Sequence, residues 1–342
     1  MKGKVTMQEI ADMAGVSKFA VSRALSGKSG VSAETREMIL KTAGQLGYFQ
    51  VKQETKSVPS EIREYGSTMP SGTILVLFPN VRYQNRESVY WGPVFDGISA
   101  RLNQRGKDIL TLTEPSSDRI FSLLNPEAIQ GIVTVGSIST AILLEIHRLT
   151  IPVVMVDHQD AAIRCDTIFA DNFSSMKQLT TKLVSKGLTS FQFVGHIGDA
   201  PSFFERWLAF RATLEQFGIE HRQLPDLIGP PAEEIHAVMK ELAEERIPEV
   251  FVCANDSIAQ FTIEAMERRG ISVPARCAVT GFDNTHQTLP LLATVDVNKE
   301  LLGMRAVDQL LWRISNRDSN FERKLIGGEV IVREQYASAS AQ

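Results

Sequence analysis

Hydrophobic residues near the amino end of the chain recur with the period of an α-helix. Met7, Ile10, Ala11 and Ala14 lie at i, i+3, i+4 and i+7, on one helical face. Gly15 then ends this helix, because glycine adopts a positive φ angle without steric penalty. Two more helices are predicted from the apolar sets Ala20, Val21, Ala24 and Leu25, and Ile39, Ala43 and Leu46. The pattern predicts three short helices around one small core.

The second predicted helix has a polar, cationic outer face. Ser17 is suited to cap its amino end, and Val16 can pack against Val21 as a hydrophobic staple. The side chains that point outward are Lys18, Phe19, Ser22, Arg23 and Ser26. A short helix of this kind, held at an angle by the helix before it, fits a DNA major groove. A three-helix bundle that binds another protein is the alternative.

After residue 72 the pattern changes to apolar runs that alternate with amphipathic segments. Residues 50–71 are polar, contain two prolines and a glycine, and are typical of a linker. The strands predicted beyond it are Thr73–Phe78, Asp108–Leu112, Gly131–Val135, Pro152–Val156, Phe191–Gly195, Val250–Ala254 and Ala278–Phe282. Continuous Val/Ile/Leu strands separated by helices indicate parallel sheets covered on both faces. We therefore expect an α/β body with two such sheets behind the helical N-terminal domain.

Charge is distributed unevenly along the chain. The 342 residues, 43% hydrophobic and 22% charged, are typical of a globular protein of two or three domains. The net charge is −4, but residues 1–60 hold nine Lys/Arg and five Asp/Glu, or +4, which leaves −8 for the rest. A basic amino end on an acidic body confines the attraction for DNA phosphates to that end.

Several classes of protein are not indicated by the sequence. Cys165, Cys253 and Cys277 lack metal-ligand spacing, and the last two lie in apolar runs that predict core packing. The amino end has no signal-peptide core and no apolar run reaches membrane-spanning length, so we expect a cytoplasmic protein. We find no dinucleotide-binding glycine motif, Walker motif or nucleophile elbow. We therefore expect no enzyme, cofactor or metal.

Polar residues follow several of the predicted strands. Asp157, His196, Asn255 and Asp283 each come just after a strand, where open parallel sheets bind ligands. The aromatic residues near them in sequence are Phe78, Trp91, Trp207 and Phe282. Carboxylates and amides combined with aromatic faces suit a polyhydroxylated ligand, because each hydroxyl donates and accepts hydrogen bonds while sugar C–H faces pack on rings.

Each of these residues also has a purely structural interpretation. Asp256 and Asp283 can cap helices or turns, and Asp157 can hold a loop. His196 can be a structural histidine, and Trp207 can belong to the core. The prediction of a ligand site depends on their common position at strand ends.

The amino-terminal segment resembles the lactose/galactose repressor (LacI/GalR) family. The resemblance rests on the run "VTMQEIADMAGVSKFAVSRALSGKSGVSAETREMILKTAGQLGY", with its helix-turn-helix, "GVS…VSRALSG", "VSAETRE" and "LGY" motifs. It implies that Lys18, Phe19 and Arg23 read bases. It also implies phosphate contacts from the hydroxyl residues Ser17, Ser22, Ser26, Ser32 and Thr35, and we add Thr6 to these candidates. The Phe19 ring can contact a thymine methyl or pack against the first helix.

The same resemblance implies the organisation of the body and its effector site. Residues 1–49 would form the DNA-binding headpiece, 50–71 the linker and 72–342 two lobes like those of periplasmic sugar-binding proteins. Lobe 1 would span about 72–159 and 297–318, and lobe 2 about 160–296 and 319–335. Arg206, in "SFFERWLAF", aligns with an effector-binding arginine, and Asn255 and Asp283 align with common effector contacts.

One part of the chain departs from the family pattern. Members usually carry a Tyr-x-Pro-Asn hinge helix with a leucine wedge that enters the minor groove, whereas this chain has Tyr48-Phe49-Gln50-Val51. We expect less bending of DNA, or a wedge near Val51 or Ile62. The resemblance also implies dimer surfaces around residues 91–102 and 256–270. The tail "VREQYASASAQ" lacks a leucine heptad for tetramers.

The resulting prediction is a nucleoid-associated, homodimeric transcriptional regulator, with repression as the expected sign. Two headpieces would read the half-sites of a pseudo-palindromic operator in double-stranded DNA. A sugar or sugar derivative between the lobes would favour one of two lobe arrangements, and a purine-type ligand is an alternative. The rival predictions are a cytosolic solute-binding protein and a sugar-modifying enzyme on the same fold.

Overall fold

A computed structural model describes residues 5–46, 48, 72–80, 84, 86–114, 126–220, 222–229, 231 and 234–336. By its internal contacts the chain divides into unit 1, residues 1–168 and 300–324, and unit 2, residues 169–299 and 325–342. The backbone passes from one unit to the other three times. The linker hypothesis for 50–71, with Val51 and Ile62, falls outside the described residues.

The headpiece contains the three predicted helices, α1 (Met7–Ala14), α2 (Lys18–Leu25) and α3 (Ala33–Gln45). Gly15 follows α1 with a φ angle of 65°, as the prediction required. The side chains of Thr6, Ser17 and Ser32 accept hydrogen bonds from the first turns of the three helices. Their common core is formed by Ile10, Ala11, Val21, Ala24, Ile39 and Ala43. Capping residues and apolar spacing thus determine this domain locally.

The first sheet has six strands and belongs mainly to unit 1. Its strands, in chain order, are β1 (Thr73–Phe78), β2 (Asp108–Thr113), β3 (Ile129–Val135), β4 (Val153–Val156), β5 (Asp166–Ala170) and β10 (Arg323–Ile326). They lie in the spatial order β10-β5-β4-β3-β1-β2, and the pairs among β1 to β5 are parallel. In the described part of this unit, the α-helices beyond the headpiece are α4 (Trp91–Gln104), α5 (Thr140–Arg148) and α10 (Lys299–Ser315).

The second sheet has five strands and lies in unit 2. Its strands are β6 (Phe191–Val194), β7 (Val250–Cys253), β8 (Ala278–Thr280), β9 (Ala293–Asp296) and β11 (Glu329–Val332), in the order β11-β9-β8-β7-β6. The pairs are parallel except β9 with β11. The helices of the unit are α6 (Asn172–Ser185), α7 (Pro201–Gln216), α8 (Ile235–Glu241) and α9 (Asp256–Arg268). The expected pair of parallel sheets is therefore present, with one antiparallel edge strand.

The buried strand positions match the predicted apolar runs. Ile74 through Phe78 are at most 3% exposed, and Val250 through Cys253 are fully buried. Cys253 and Cys277 are buried in the core of unit 2, as predicted. Four strands were not predicted, β5, β9, β10 and β11, because they begin or end with polar residues and lack a long apolar run. In the part of the chain that the structure describes, no helix combines the length and apolarity needed to cross a bilayer.

Helices α4 and α10 cross at two glycines. A Cβ atom on Gly97 would collide with the carbonyl oxygen of Glu300, and one on Gly303 with that of Val94. The two backbones can approach this closely only because neither glycine has a side chain.

We therefore expect Gly303→Ala to lower the free energy of unfolding by about 1–3 kcal/mol, although alanine favours helix more than glycine does. Urea denaturation measures this change. Gly327→Ala is the matched control, because no atom lies within 4 Å of a Cβ at that position. Equal stability of Gly303→Ala and the native protein would contradict the tight crossing.

Candidate functional site

Helix α2 presents the predicted base-reading residues at the surface of the headpiece. Lys18 and Ser22 are exposed, and Phe19 is 68% exposed. Arg23 is half-buried: its Nε donates to the carbonyl oxygen of Ser29 at 2.6 Å, and its guanidinium carbon lies 5.3 Å from the centre of the Phe19 ring. The Phe19 ring therefore lies on the outer face beside Arg23 and outside the headpiece core.

Of the hydroxyl residues predicted to contact phosphates, four lie at helix amino ends: Thr6, Ser17, Ser32 and Thr35. Ser22 lies within α2, and Ser26 lies at its carboxyl end. Thr6 and Glu9 form a reciprocal capping box, in which the Glu9 amide donates to the Thr6 hydroxyl at 3.3 Å. The Ser32 hydroxyl donates to that of Thr35 at 2.8 Å, and the Ser26 hydroxyl donates to the Arg23 carbonyl at 3.3 Å. Backbone amides at helix amino ends also bind anions. The four residues at amino ends therefore combine a structural role with a position suited to phosphates.

In unit 2, Arg206 is the centre of a buried polar cluster. Its Nε donates to Asn172 Oδ1 at 2.9 Å, its Nη1 to the Ala254 carbonyl oxygen at 2.7 Å and its Nη2 to Asp283 Oδ1 at 2.9 Å. The Phe282 ring stacks on the guanidinium at 3.7 Å. Of five N–H donors, three are thus used within the described residues, which leaves one each on Nη1 and Nη2.

Asp283 is held in an uncommon backbone conformation by its surroundings. Its φ angle is 90° and that of Asn284 is 48°, values that non-glycine residues adopt infrequently. Asp256, fully buried at the start of α9, accepts from the Thr285 amide at 2.6 Å and from the Thr294 hydroxyl at 2.8 Å. Burial raises the pKa of Asp256, and its hydrogen bonds to Thr294, Thr285 and His286 oppose that shift. Asp256 therefore holds the loop that carries Asp283, and its side-chain hydrogen bonds position the Asp283 carboxylate through that loop.

The other residues predicted for unit 2 have different positions. Asn255 caps α9 by accepting from the Ile258 amide at 2.9 Å. His196 is half-buried and its Nδ1 lies 2.7 Å from Asp199 Oδ1. Trp207 is 9% exposed and packs on Phe193 and Phe210, so the core interpretation is confirmed for this residue. The contacts place Arg206, Phe282 and Asp283 together, with Asn255 and His196 making separate contacts.

Unit 1 has a second polar group at the carboxyl ends of its strands. Asp157 directly follows β4 with a φ angle of 52°, and the Tyr90 hydroxyl donates to its carboxylate. The Trp91 ring meets the Tyr90 ring edge to face at 4.7 Å. Phe78 is 3% exposed and packs on Phe95, so it lies in the core beneath this edge.

Three residues of these groups were missed by the sequence prediction. Tyr90 lies 67 positions from Asp157, and Asn172 lies 34 positions from Arg206. Glu205 belongs to the same cluster, because its carboxylate accepts from Asn172 Nδ2 at 3.2 Å. A Tyr-Trp pair before a helix is a signal that could have identified Tyr90, whereas Asn172 follows a strand that was itself missed. Within the described residues, no group of three or more His, Cys, Asp or Glu side chains is placed to hold a metal ion.

Two family models match separate parts of the chain. Residues 6–50 match the model of bacterial regulatory proteins of the lacI family. Residues 180–334 match the model of the periplasmic binding protein-like domain. These are the headpiece and much of unit 2.

Similar proteins and structures extend the match over nearly the whole chain. The HTH-type transcriptional regulator GalR of Lacticaseibacillus casei is 26% identical, with 94% of this chain and 98% of that protein covered. The solved complex of the transcriptional regulator CelR with cellobiose has a TM-score of 0.68 at 20% identity, covering 96% of this chain and 99% of that one. The lac repressor dimer bound to operator and the anti-inducer ONPF has a TM-score of 0.64 at 21% identity, covering 98% and 100%. The chain therefore combines a helix-turn-helix domain of the lacI family with a periplasmic-binding-protein-like domain, the arrangement of the transcriptional regulators to which it is similar over nearly its whole length.

Proposed function

We propose that this regulator represses transcription as a homodimer and that a neutral, polyhydroxylated small molecule controls it by binding at the Arg206 cluster. The observation that carries the proposal is the Arg206–Asp283 pair, stacked on Phe282 at the carboxyl ends of the unit 2 strands. Repression and dimer formation are supported by the likeness to the operator-bound lac repressor dimer. In this proposal the protein acts by binding DNA and effector, without catalysis, and it is located in the cytoplasm on the nucleoid.

The charges of the cluster favour a neutral ligand. The positive charge of Arg206 is compensated by the carboxylate of Asp283 at 2.9 Å, and Glu205 adds a second carboxylate nearby. An anionic ligand would have to compete with Asp283 for the guanidinium. A sugar hydroxyl accepts from the remaining N–H donors and donates to a carboxylate oxygen, while its C–H face packs on an aromatic ring. The cellobiose bound by CelR is a ligand of this chemical class.

A thermal-shift screen of the purified full chain tests the ligand class. We expect a neutral sugar to raise the melting temperature, because ligand at 100 times its Kd adds about 2.7 kcal/mol to stability. The sugar phosphates and nucleobases tested beside it are expected to give smaller shifts. A larger shift with a sugar phosphate than with its parent sugar would reject the neutral class. A response to nucleobases alone would favour the purine alternative.

On the DNA side, we propose that α2 enters the major groove with Lys18, Phe19 and Arg23 toward the bases. Arg23 suits the O6/N7 edge of guanine, and the exposed Phe19 ring suits a thymine methyl group. The hydroxyl residues Thr6, Ser17, Ser22, Ser26, Ser32 and Thr35 would contact phosphates.

The Asp157–Tyr90 edge of unit 1, with Trp91, is a further candidate for effector contacts, and Asn255 and His196 remain candidates in unit 2. We also propose the domains inferred from the sequence: the headpiece 1–49, the linker 50–71 and the body 72–342, which consists of two lobes.

We expect Arg23→Ala to weaken binding to the selected operator by about 10- to 100-fold and to relax the preference at one base pair. Binding of the full chain to a randomised duplex library, followed by a footprint of the recovered sequence, measures both. Lys28→Ala is the control, because Lys28 is exposed and the loss of a cation that acts only on phosphates would weaken binding equally for all sequences. An unchanged footprint and affinity for Arg23→Ala would show that another element reads the bases.

A further inference from the structure

Helix α3 carries a second face in addition to the one that packs in the headpiece core. Its inner residues are Ile39 and Ala43. Glu37, Leu40, Lys41 and Gly44 lie at i, i+3, i+4 and i+7, a separate stripe that we name the docking stripe. Leu40 is only 4% exposed and Gly44 is buried, although the stripe does not coincide with the inner face. Something other than α1 and α2 therefore covers Leu40 and Gly44, while Lys41 stays exposed at the edge of the stripe.

The element that covers Gly44 belongs to the α/β body of unit 1 in the same chain. The Gly44 backbone lies against the loop that follows β4: a Cβ built on Gly44 would be 2.5 Å from the Ala162 nitrogen and 2.7 Å from the Ala161 carbonyl carbon. No real Cβ tolerates such a distance to backbone atoms, so only glycine permits this approach. The loop is itself rigidly held, because Asp160 accepts from the Ala162 amide at 2.7 Å and from the Thr140 hydroxyl at 2.6 Å.

Glu37 completes the contact at the amino end of α5. The expected N-cap residue of that helix, Ser139, makes no capping bond with its side chain. Its hydroxyl donates instead to Glu114. The Thr140 amide, in the first turn, donates to Glu37 Oε1 at 2.9 Å. A headpiece carboxylate thus caps a helix of the body, where the helix dipole also favours negative charge.

A histidine lies beside the same contact. Both ring nitrogens of His158 are buried, and burial lowers its pKa. The carboxylates of Asp160 and Glu37 oppose that shift, while the Lys41 ammonium adds to it. The headpiece side chains Glu37 and Lys41 therefore lie close enough to this body residue to act on it electrostatically.

We propose that the docking stripe of α3 is an interface for the α/β body of unit 1, formed by the 160–162 loop and the amino end of α5. The DNA-binding helix then moves together with that body. Phe19 stays 68% exposed in this arrangement, so the docked headpiece still presents α2 to DNA. Docking gives the α/β body of unit 1 a direct mechanical connection to α2 that does not pass through residues 49–71.

Gly44→Val should abolish docking without unfolding the headpiece, because valine is no worse than glycine inside a helix and Gly44 is not part of the headpiece core. Gln45→Val is the matched control, since it places the same side chain one position further at an exposed site. Lys18→Cys, on the exposed face of α2, provides the attachment site for a fluorophore in both backgrounds. Burial raises the pKa of the Cys165 thiol, that of Cys253 to about 12 and that of Cys277 to about 11, so labelling at neutral pH favours the introduced, exposed cysteine. The native chain without Lys18→Cys, treated with the same reagent, gives the background labelling.

Time-resolved fluorescence anisotropy of the labelled full chain then reports whether the headpiece rotates independently. We expect Lys18→Cys, alone or with Gln45→Val, to decay with the tumbling of the whole molecule, and Gly44→Val to add a nanosecond segmental component. Hydrogen exchange at the Thr140 amide should accelerate about five-fold or more in Gly44→Val and in Glu37→Ala, because each loses that hydrogen bond. The proposal is overturned if the segmental component is already present without Gly44→Val, or if Thr140 exchange is equal in all variants. Neither readout needs an effector or an operator.

Discussion

Replacing Asp166 with alanine is expected to lower the free energy of unfolding of unit 1 by about 3–5 kcal/mol, because it leaves the buried Arg313 guanidinium without its counter-charge. The Asp166 side chain is fully buried and that of Arg313 is 4% exposed. The two form a bidentate pair, with Nε–Oδ2 at 2.6 Å and Nη2–Oδ1 at 2.8 Å. Asp166 Oδ1 also accepts from the Glu322 amide at 2.7 Å.

This pair ties three separate segments of unit 1 together. Asp166 begins β5, Arg313 lies near the end of α10, and Glu322 immediately precedes β10. Arg313 Nη1 donates further to the Ser319 carbonyl oxygen at 2.7 Å, which fixes the turn after the helix. Loss of the carboxylate therefore removes hydrogen bonds from both the helix and the edge strand.

Urea denaturation followed by tryptophan fluorescence measures the loss, and Trp312 beside Arg313 serves as a local probe. Glu145→Ala is the control, since it removes an exposed ion pair with Arg148 and should cost no more than about 1 kcal/mol. The double change Asp166→Ala with Arg313→Met should recover part of the stability, because the unpaired charge is then absent. A loss below about 1 kcal/mol for Asp166→Ala alone would show that water or another group compensates Arg313.

Local signals in the sequence were sufficient for the headpiece and for most of the strands. A capping serine, a helix-ending glycine and an apolar stripe act within a few residues, so Ser17, Gly15 and Ile10 define their elements without help from the rest of the chain. The buried parallel strands were found for a related reason, since both of their faces are covered and every position is apolar. Strand β5 was missed because it begins with Asp166, whose burial depends on a partner 147 positions away.

The candidate site was predictable only in part, because its residues also depend on partners that are distant in sequence. The resemblance to the family selected Arg206 and Asp283, and the structure places them 2.9 Å apart. Neither periodicity nor spacing could indicate that Asn172 also binds the guanidinium, or that Tyr90 donates to Asp157. Such contacts arise when parallel strands bring distant loops to one edge of a sheet. The docking stripe of α3 was missed because its residues look like an ordinary solvated helix face in sequence.

Arg206→Lys is expected to reduce the affinity for the sugar selected in the thermal-shift screen by about 100-fold while leaving the fold intact. Lysine keeps the positive charge beside Asp283, so no uncompensated carboxylate is buried. It loses the planar fork that reaches Asn172, the Ala254 carbonyl oxygen and Asp283 at once. It also loses the flat face that stacks on Phe282. The net charge of the cluster would then be unchanged, but its N–H donors would no longer be placed to bind two adjacent hydroxyls.

Isothermal titration of the full chain with that sugar gives the affinity, and the melting temperature without ligand gives the stability. Arg211→Lys is the matched control on the same helix, because the Arg211 side chain is 43% exposed and pairs with Glu215 at 3.2 Å, away from Asp283. DNA binding in the absence of the sugar should be unchanged in both variants, since the headpiece residues that would contact DNA belong to unit 1 and Arg206 to unit 2. Native affinity in Arg206→Lys would place the effector elsewhere. The Asp157–Tyr90 edge of unit 1 would then be the next candidate, because it is the other described place where a strained aspartate meets an aromatic side chain at the ends of parallel strands.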